Sequence, residues 1–236
     1  MYYSYNVISP HNIGHFLHEE YINLYDFIIY NKENNLYLKL INSCEYVDKI
    51  IFCLLNYKKY YLISENDCSN NDFITLQFPK TNISTIFNNK TNLDKLLITK
   101  KIIYENYKIS TEITVNYKIL YTRKDCYRRR LLNYENIINL FDIVVDTLSI
   151  DFENQVRLFS SASHFVSLEG GHLTNVILMN TNSKVLSIQV DYFNSWQKHY
   201  GTSNLIKNFD TNYISKNLVK PNDNFNIIDN SLNINN

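Results

Sequence analysis

Residues 164–179 read HFVSLEGGHLTNVILM and contain an apolar run, two adjacent glycines and a second apolar run. This order predicts a β-strand that ends near Leu168, a tight turn at Gly170 and Gly171, and a helix from about Leu173. The chain has 236 residues but only four glycines, so a glycine pair at such a junction is unusual. Glycine accommodates positive φ angles and close approach of a ligand, and a helix N-terminus offers unpaired N–H groups to a phosphate. We therefore expect a phosphate-binding turn here.

The sequence around this turn alternates between strand-like and helix-like segments. Strands are predicted over residues 118–121, 142–145, 165–168 and 184–190, and helices over residues 133–141, 151–162, 173–179 and 196–200. Such alternation is typical of an α/β fold with a doubly wound parallel sheet. The ligand of such a sheet lies beyond the carboxyl ends of its strands, which is where the glycine turn falls.

The first half of the chain has a less regular pattern. It predicts a helix over residues 12–30, a strand over residues 36–41, a helix over residues 45–56 and β-rich runs at residues 60–64 and 73–78. The last stretch, residues 221–236, is rich in Asn, and we expect a disordered tail there.

The composition bears on partners and compartment. The chain has 23 Lys and Arg against 23 Asp and Glu, so no overall field attracts nucleic acid or anionic lipid. Its four cysteines lack metal-site spacing, and we interpret them as free thiols in a reducing compartment. No apolar stretch reaches the roughly 18 residues of a membrane span, and the N-terminus lacks a signal-peptide pattern. We expect a cytoplasmic protein without an integral membrane segment.

One candidate chemical cluster lies at the start of the first predicted helix. Its members are His11, His15, His18, Glu19 and Glu20. His15 and Glu19 are four positions apart and share a helix face, so they form a candidate general base with an orienting partner. Solvated polar residues are an alternative interpretation. A metal site is a third one, although the His-Glu-x-x-His spacing is absent.

A second candidate cluster is basic and follows the strand at residues 118–121. Its members are Arg123, Lys124, Arg128, Arg129 and Arg130. A solvated patch is one interpretation, and a pyrophosphate clamp at the carboxyl end of the strand is the other. Asn133 and Gln155 form a further polar pair, for which ordinary capping or surface polarity is the simpler interpretation.

Four motifs, taken together and in order, resemble those of glycosyltransferase family 61. The motifs are NIGHFLHEE at residues 12–20, ILYTR at residues 119–123 with Arg129 and Asn133, FENQ at residues 152–155, and GGHLTN at residues 170–175. The resemblance spans about residues 12–190. No single motif is decisive, and the specificity lies in their order.

The resemblance implies a compact version of the two-lobed, Rossmann-like glycosyltransferase B fold. It implies an acceptor-side lobe over residues 1–112, a nucleotide-sugar-binding lobe over residues 113–220, and an inverting, metal-independent transfer. The absence of Asp-x-Asp, the metal signature of the other main glycosyltransferase fold, agrees with this. By position, the donor would be bound by Arg123, Arg129, Asn133, Glu169, Gly170, Gly171, His172, Thr174 and Asn175. His15 and Glu19 would face the acceptor as catalytic residues.

Two positions depart from the family pattern. Glu169 stands where the family turn usually has His, and Ser187 stands where the next strand usually has Glu. A carboxylate about 4 Å from a diphosphate charge would cost on the order of 4 kcal/mol at an effective dielectric near 20. Our hypothesis is that Glu169 accepts hydrogen bonds from ribose or sugar hydroxyls, while His172 supplies the donor near the phosphate. The alternative is a site that has decayed.

These observations predict an enzyme that moves a sugar from a nucleoside-diphosphate sugar to a hydroxyl of a glycan or glycoprotein. Glu19 or His15 would remove the acceptor proton, and Arg123 and Arg129 would stabilise the departing diphosphate. No cofactor is expected beyond the donor substrate. A non-catalytic relative that binds glycan or nucleotide is the alternative, and a metal-dependent hydrolase built on the histidines is a weaker one. The sequence leaves the base, the sugar, the acceptor and the linkage open.

Overall fold

The computed structural model describes two compact units, residues 1–108 and 109–236. Within them it describes residues 1–11, 13–64, 72–79, 89–110, 117–122, 131, 134–145, 150–168, 170–180, 183–190 and 212–219. For residues 18, 189, 190 and 212–219 it describes the backbone only. The predicted helix near residue 196 and the predicted tail over residues 221–236 lie outside these ranges.

The first unit is a four-stranded parallel sheet with helices between its strands. Its strands are β1 (Tyr2–Asn6), β2 (Tyr37–Ile41), β3 (Tyr61–Ile63) and β4 (Ile74–Thr75), in the spatial order β3-β2-β1-β4. Its helices are α1 (Ile13–His15), a π-helical turn (Phe16–Glu20), α2 (Tyr21–Tyr30), α3 (Glu45–Tyr57) and α4 (Lys90–Asn106). The chain moves from β1 in one direction to β2 and β3, then returns to β4 on the other side of β1. The direction of the connections therefore reverses between β1 and β4, which is where such sheets place ligands.

Apolar faces of the helices pack on this sheet. Leu38 and Leu40 of β2 are buried, and so are Val47, Ile50 and Leu54 on one side of α3. The spacing of these residues in α3 is that of a helix with one buried face. The side chain of Asn89 caps α4, because its Oδ1 accepts a hydrogen bond of 2.9 Å from the N–H of Thr91.

The second unit is a five-stranded parallel sheet. Its strands are β5 (Tyr117–Tyr121), β6 (Ile143–Val145), β7 (Ala162–Leu168), β8 (Lys184–Val190) and β9 (Asn212–Val219), in the spatial order β6-β5-β7-β8-β9. Within the described residues, one α-helix, α5 (Phe152–Ser160), and three 3₁₀ helices (Tyr134–Asn136, Ile138–Leu140 and Gly171–Leu178) lie between strands of this sheet. The direction of the connections reverses between β5 and β7. The carboxyl ends of these two strands are thus the expected ligand position in this unit.

The structure corrects several predicted elements in the second unit. Residues 133–141 do not form one helix, because the described part consists of two short 3₁₀ turns. Ile137 between these turns is buried in the apolar cluster on the sheet. The helix predicted over residues 173–179 is a 3₁₀ helix that begins at Gly171. The helix predicted to reach residue 162 ends at Ser160, because Ala162 already pairs with Tyr117 in the sheet.

The fold is therefore α/β with two parallel sheets, which is compatible with Rossmann-like units. Strands β1 and β9 were not predicted. None of the described helices combines the length and the apolar character needed to cross a bilayer.

Candidate functional site

The candidate donor site lies at the carboxyl ends of β5 and β7. Tyr121 and Ser167 pair in register near these two ends. After β7 the backbone of Gly170 is extended, with φ 166° and ψ 176°, and the 3₁₀ helix begins at Gly171. None of the described glycines lies in the left-handed region, so the expectation of a positive-φ glycine turn is wrong. The described part of the turn runs from extended backbone directly into the 3₁₀ helix and does not need that conformation.

His172 folds back onto the strand that precedes it. Its Nε2 contacts the hydroxyl of Ser167 and lies 2.8 Å from the carbonyl oxygen of Leu168. Its ring stacks on that of Tyr121, with centroids 4.2 Å apart and planes at 4°. The side chain therefore joins the ends of β5 and β7.

The partners of His172 define its tautomer. A carbonyl oxygen only accepts hydrogen bonds, so Nε2 carries the hydrogen and donates it. The hydroxyl of Ser167 donates to the same carbonyl of Leu168 at 3.0 Å, which leaves its oxygen as a second acceptor for Nε2. In this tautomer Nδ1 donates a hydrogen bond only when the ring is an imidazolium. Its expected role as a donor near the phosphate remains a prediction.

Thr174 and Asn175 are both buried in the 3₁₀ helix, with exposed fractions of 1% and 2%. The hydroxyl of Thr174 donates to the carbonyl oxygen of Gly171 at 2.6 Å and stabilises the first turn of the helix. Ser187 in β8 is also buried and pairs in register with Ser167. Ser187, one of the two departures from the family pattern, therefore lies one strand spacing, about 4.8 Å, from Ser167 in the candidate site.

Four of the predicted donor residues, Arg123, Arg129, Asn133 and Glu169, lie outside the described residues. The described chain next to two of them ends at the same edge of the sheet. Thr122 precedes Arg123, and its N–H donates to the carbonyl oxygen of Val145 at 3.1 Å. Leu168, the last residue of β7, precedes Glu169.

In the first unit the structure brings the predicted catalytic pair together. Nδ1 of His15 lies 2.5 Å from Oε1 of Glu19. Both side chains are partly exposed, 42% for His15 and 27% for Glu19, so both can meet solvent or a substrate. A carboxylate that orients an imidazole is an arrangement used in general base catalysis. The catalytic role of this pair remains a prediction.

Glu20, which the sequence placed in the same cluster, has a structural role. It is 2% exposed, and its Oε2 accepts hydrogen bonds from the hydroxyl of Tyr5 at 2.8 Å and from the N–H of Ile8 at 2.9 Å. Its Oε1 accepts a third from the N–H of Ser9 at 2.9 Å. Burial and the neighbouring Glu20 raise the pKa of Tyr5 far above its usual value, so the phenol stays protonated and remains a donor. Glu20 thus anchors the loop between β1 and α1.

The structure describes the side chain of only one of the two remaining histidines of this cluster. His11 lies in the loop after β1, and the side chain of His18 is outside the described part of the structure. Among the side chains that the structure describes, no three His, Cys, Asp or Glu residues are grouped as metal ligands would be.

Comparison with known families decides the class of the protein. The family model of glycosyltransferase 61 matches residues 13–186, which is more than half of the chain and includes parts of both units. The chain belongs to glycosyltransferase family 61. No curated protein sequence matches it.

Family 61 membership confirms the resemblance seen in the four motifs. It identifies the chain as a glycosyltransferase, an enzyme that uses a sugar donor and an acceptor. The family match begins just before His15 and ends in β8, so it contains the His15–Glu19 pair and the 3₁₀ helix after β7. Glycosyl transfer is therefore favoured over the metal-dependent hydrolase.

Proposed function

We propose that this family 61 enzyme transfers a sugar from a nucleoside-diphosphate sugar to a hydroxyl of a glycan or glycoprotein. The observation that carries the proposal is the position of the GGHLTN motif. It follows β7 at the carboxyl edge of a parallel sheet, beside the point where the direction of the connections reverses. Nucleotides bind at that position in open α/β sheets because loops there approach the ligand from both sides.

We assign donor binding to the second unit and acceptor binding to the first, as in the glycosyltransferase B fold. Support comes from the parallel sheet of each unit, since each sheet has one point of reversal. The boundary at residues 112 and 113, suggested by the resemblance, belongs to this proposal.

The donor would be bound mainly through its diphosphate. Arg123 and Arg129 neutralise the charge that grows on the diphosphate as the bond to the sugar breaks. Asn133 and the backbone at Gly170 and Gly171 add hydrogen bonds. Glu169 accepts from hydroxyls of the ribose or sugar.

The reaction is a single displacement. Glu19 or His15 takes the proton from an acceptor hydroxyl, and the acceptor oxygen attacks the anomeric carbon with inversion. The bond from that carbon to the diphosphate breaks at the same time, and its electron pair leaves with the nucleotide. Support for the base comes from the 2.5 Å contact between His15 and Glu19 and from their partial exposure. No step uses a metal ion.

We further propose that the enzyme works in a reducing compartment such as the cytoplasm. Cys44 and Cys53 are both free thiols. Burial raises the pKa of Cys53 to about 12, so this thiol stays protonated and inert.

A thermal-shift screen against uridine, guanosine, cytidine and thymidine diphosphates and their sugars tests the donor class. We expect the diphosphate of one nucleoside to raise the melting temperature. The labelled sugar should then be transferred from the nucleotide sugar with that base, also in the presence of EDTA. Activity that EDTA abolishes and a divalent ion restores would contradict the metal-independent mechanism.

Ser187 favours one alternative, a relative that binds its ligand without turnover, because a buried serine stands beside the site where the family usually has a carboxylate. The variant Glu169→Gln separates the two. If Glu169 binds donor hydroxyls, the variant weakens nucleotide binding by about 1–3 kcal/mol. If Glu169 only repels phosphate in a decayed site, the same variant tightens nucleotide binding.

A further inference from the structure

The first unit contains an open cleft of about 550 Å³ whose lining includes none of the residues predicted to bind the donor or to act as the base. Its polar lining is Asn6 at the end of β1, His11 in the loop that follows, and Asn42 and Ser43 after β2. Asn6 pairs in register with Ile41, so the cleft lies at the carboxyl ends of two adjacent strands. Its volume is within the range of about 300–1,000 Å³ that is usual for small-molecule sites.

Two asparagines form a hydrogen-bonding pair in this lining. The Nδ2 of Asn42 donates to Oδ1 of Asn6 at 2.8 Å. Within the described residues this leaves Nδ2 of Asn6 as a donor and Oδ1 of Asn42 as an acceptor. A hydroxyl both donates and accepts, so a sugar hydroxyl, or two neighbouring ones, can use both groups.

The backbone at Asn42 is in the left-handed region, with φ 55°. This conformation is uncommon for residues other than glycine, although Asn tolerates it better than most. Glycine would adopt it at no cost but would lack the amide. Residues in such sparsely populated conformations cluster at ligand sites, where the surrounding structure holds them.

Ser43 adds a third group. Its Oγ is buried and has no hydrogen-bond partner among the described residues. An unsatisfied buried hydroxyl is costly and rare in native proteins. Rotation of this hydroxyl towards the cleft would break no hydrogen bond within the described residues, and a ligand could then satisfy it.

The charges around the lining indicate an uncharged ligand. The lining contains no Asp, Glu, Lys or Arg. Three acidic residues are close to the lining along the chain or through a hydrogen bond: Glu20 accepts from the N–H of Ile8, and Glu45 and Asp48 are in the first turn of α3, which begins two residues after Ser43. They would repel a phosphorylated sugar or a uronic acid. The rest of the lining, Val7, Ile8 and Pro10, is apolar and suits the C–H face of a sugar ring.

We propose that this cleft binds an uncharged sugar residue of the acceptor, with Asn6, Asn42 and Ser43 bonded to its hydroxyls. This inference rests on the proposed function and deepens it, because it names the substrate class of the first unit. The sugar residue of the acceptor that enters the cleft is then uncharged.

The test uses the full chain without donor, so that it does not depend on activity. Saturation-transfer NMR titrations measure binding of the methyl glycosides of glucose, galactose, mannose, xylose and N-acetylglucosamine. Methyl glucuronide is the charged match to methyl glucoside. We expect at least one neutral glycoside to bind, and the glucuronide to bind more weakly than the glucoside.

The variants Asn6→Ala, Asn42→Gly and Ser43→Ala are each expected to weaken binding of that glycoside roughly three- to tenfold, as the loss of one hydrogen bond implies. Lys59→Gly is the matched control, since Lys59 is also left-handed, with φ 59°, and is not in the lining. Both glycine variants relieve backbone strain and should keep or raise the melting temperature. Of these two, only Asn42→Gly should weaken sugar binding, which excludes misfolding as the cause.

The outcomes separate this inference from the proposed function. If no neutral glycoside binds while a nucleoside diphosphate does, the cleft proposal is wrong and the transferase proposal stands. If neutral glycosides bind equally well to all three variants, the sugar site lies elsewhere and the inference is overturned. If neither sugars nor nucleotides bind, the proposed function fails as well.

Discussion

Among the described residues of the candidate donor site, His172 contacts both strands that border it, β5 through Tyr121 and β7 through Ser167 and Leu168. Replacing it with Ala removes its Nε2 hydrogen bonds and its stack on Tyr121. We expect the free energy of unfolding to fall by about 1–3 kcal/mol, since a buried hydrogen bond contributes about 0.5–1.5 kcal/mol and an aromatic pair a similar amount. Urea denaturation measures this as a lower midpoint with an unchanged slope.

His15→Ala is the control for this prediction, because the side chain of His15 is 42% exposed. Its effect on stability should be much smaller. Equal losses in the two variants would show that the stack and the buried hydrogen bonds of His172 contribute nothing beyond ordinary surface contacts.

His164 provides a prediction on pH. It pairs in register with Lys118 on one side and Lys184 on the other, and its Nδ1 lies 2.9 Å from the hydroxyl of Ser163. Partial burial and these two lysines lower the pKa of His164 below its ordinary value of 6.5. Between the lowered pKa and 6.5 the unfolded chain binds more protons than the folded one, so stability rises with pH in that window.

Acidification from pH 7 to below 6.5 should therefore destabilise the protein through His164. An NMR titration of the ring checks the pKa directly, and Lys184→Gln should raise it towards 6.5. A His164 pKa above 6.5 in the parent would contradict the prediction.

The residues of the candidate site differ in how far the sequence could reveal them. The contact between His15 and Glu19 was predicted, because a spacing of four on a helix is a local signal. The role of Glu20 was not, since its hydroxyl partner, Tyr5, lies fifteen positions away in a strand that was not predicted. A buried carboxylate and an exposed one look the same in sequence when they are neighbours.

Glu19 and Glu20 both belong to the π-helical turn, Phe16–Glu20, but their side chains contact different parts of the unit. A π-helical turn makes room for one more residue per turn than the α-helix and is frequent near functional sites. In this structure Glu19 stays beside His15 near the surface, while Glu20 reaches the loop after β1. The turn therefore serves both the proposed base and the anchoring of the loop.

We expect Glu20→Gln to destabilise the protein by roughly 1–3 kcal/mol. An amide has one oxygen for the three donors, so at least one buried donor is left without a partner. Glu19→Gln is the matched control one position away, and its effect should be within about 0.5 kcal/mol because the side chain is partly exposed. Thermal denaturation of the pair checks this, and equal melting temperatures would contradict the anchoring role.

Elements with strong periodicity were predicted well, and elements without it were not. The helix α3 and the strand β8 follow closely from their apolar patterns. The two 3₁₀ turns in residues 134–140 were predicted as one helix, because their apolar residues have helical spacing but serve only to cover the sheet. Strand β1, with the sequence YYSYN, was missed although tyrosine is common in strands.

At the level of the whole molecule, the alternation of strands and helices was enough to predict the parallel sheet of the second unit, whereas a Rossmann-like first unit was implied only by the family resemblance. The order of the strands was not predictable. Strand β4 has two residues, and it pairs with β1 about seventy positions earlier, so no local pattern identifies the neighbour. The reversal points that locate ligand sites follow from this order and therefore need the structure.

If donor and acceptor bind to different units, variants in the second unit should lose nucleotide affinity and variants in the first should lose turnover. If the second unit binds the donor, Arg123→Ala and Arg129→Ala should each weaken nucleoside-diphosphate binding by roughly 1.5–3 kcal/mol, because each loses a charge-assisted hydrogen bond. If the first unit carries the base, Glu19→Gln and His15→Ala should leave that affinity unchanged and lower turnover by about 10²- to 10⁴-fold. Calorimetry with the nucleotide alone and transfer of a labelled sugar measure the two quantities. Weaker nucleotide binding in Glu19→Gln would mean that this residue binds the donor instead. Unchanged nucleotide binding in both arginine variants would mean that the basic cluster is a solvated patch.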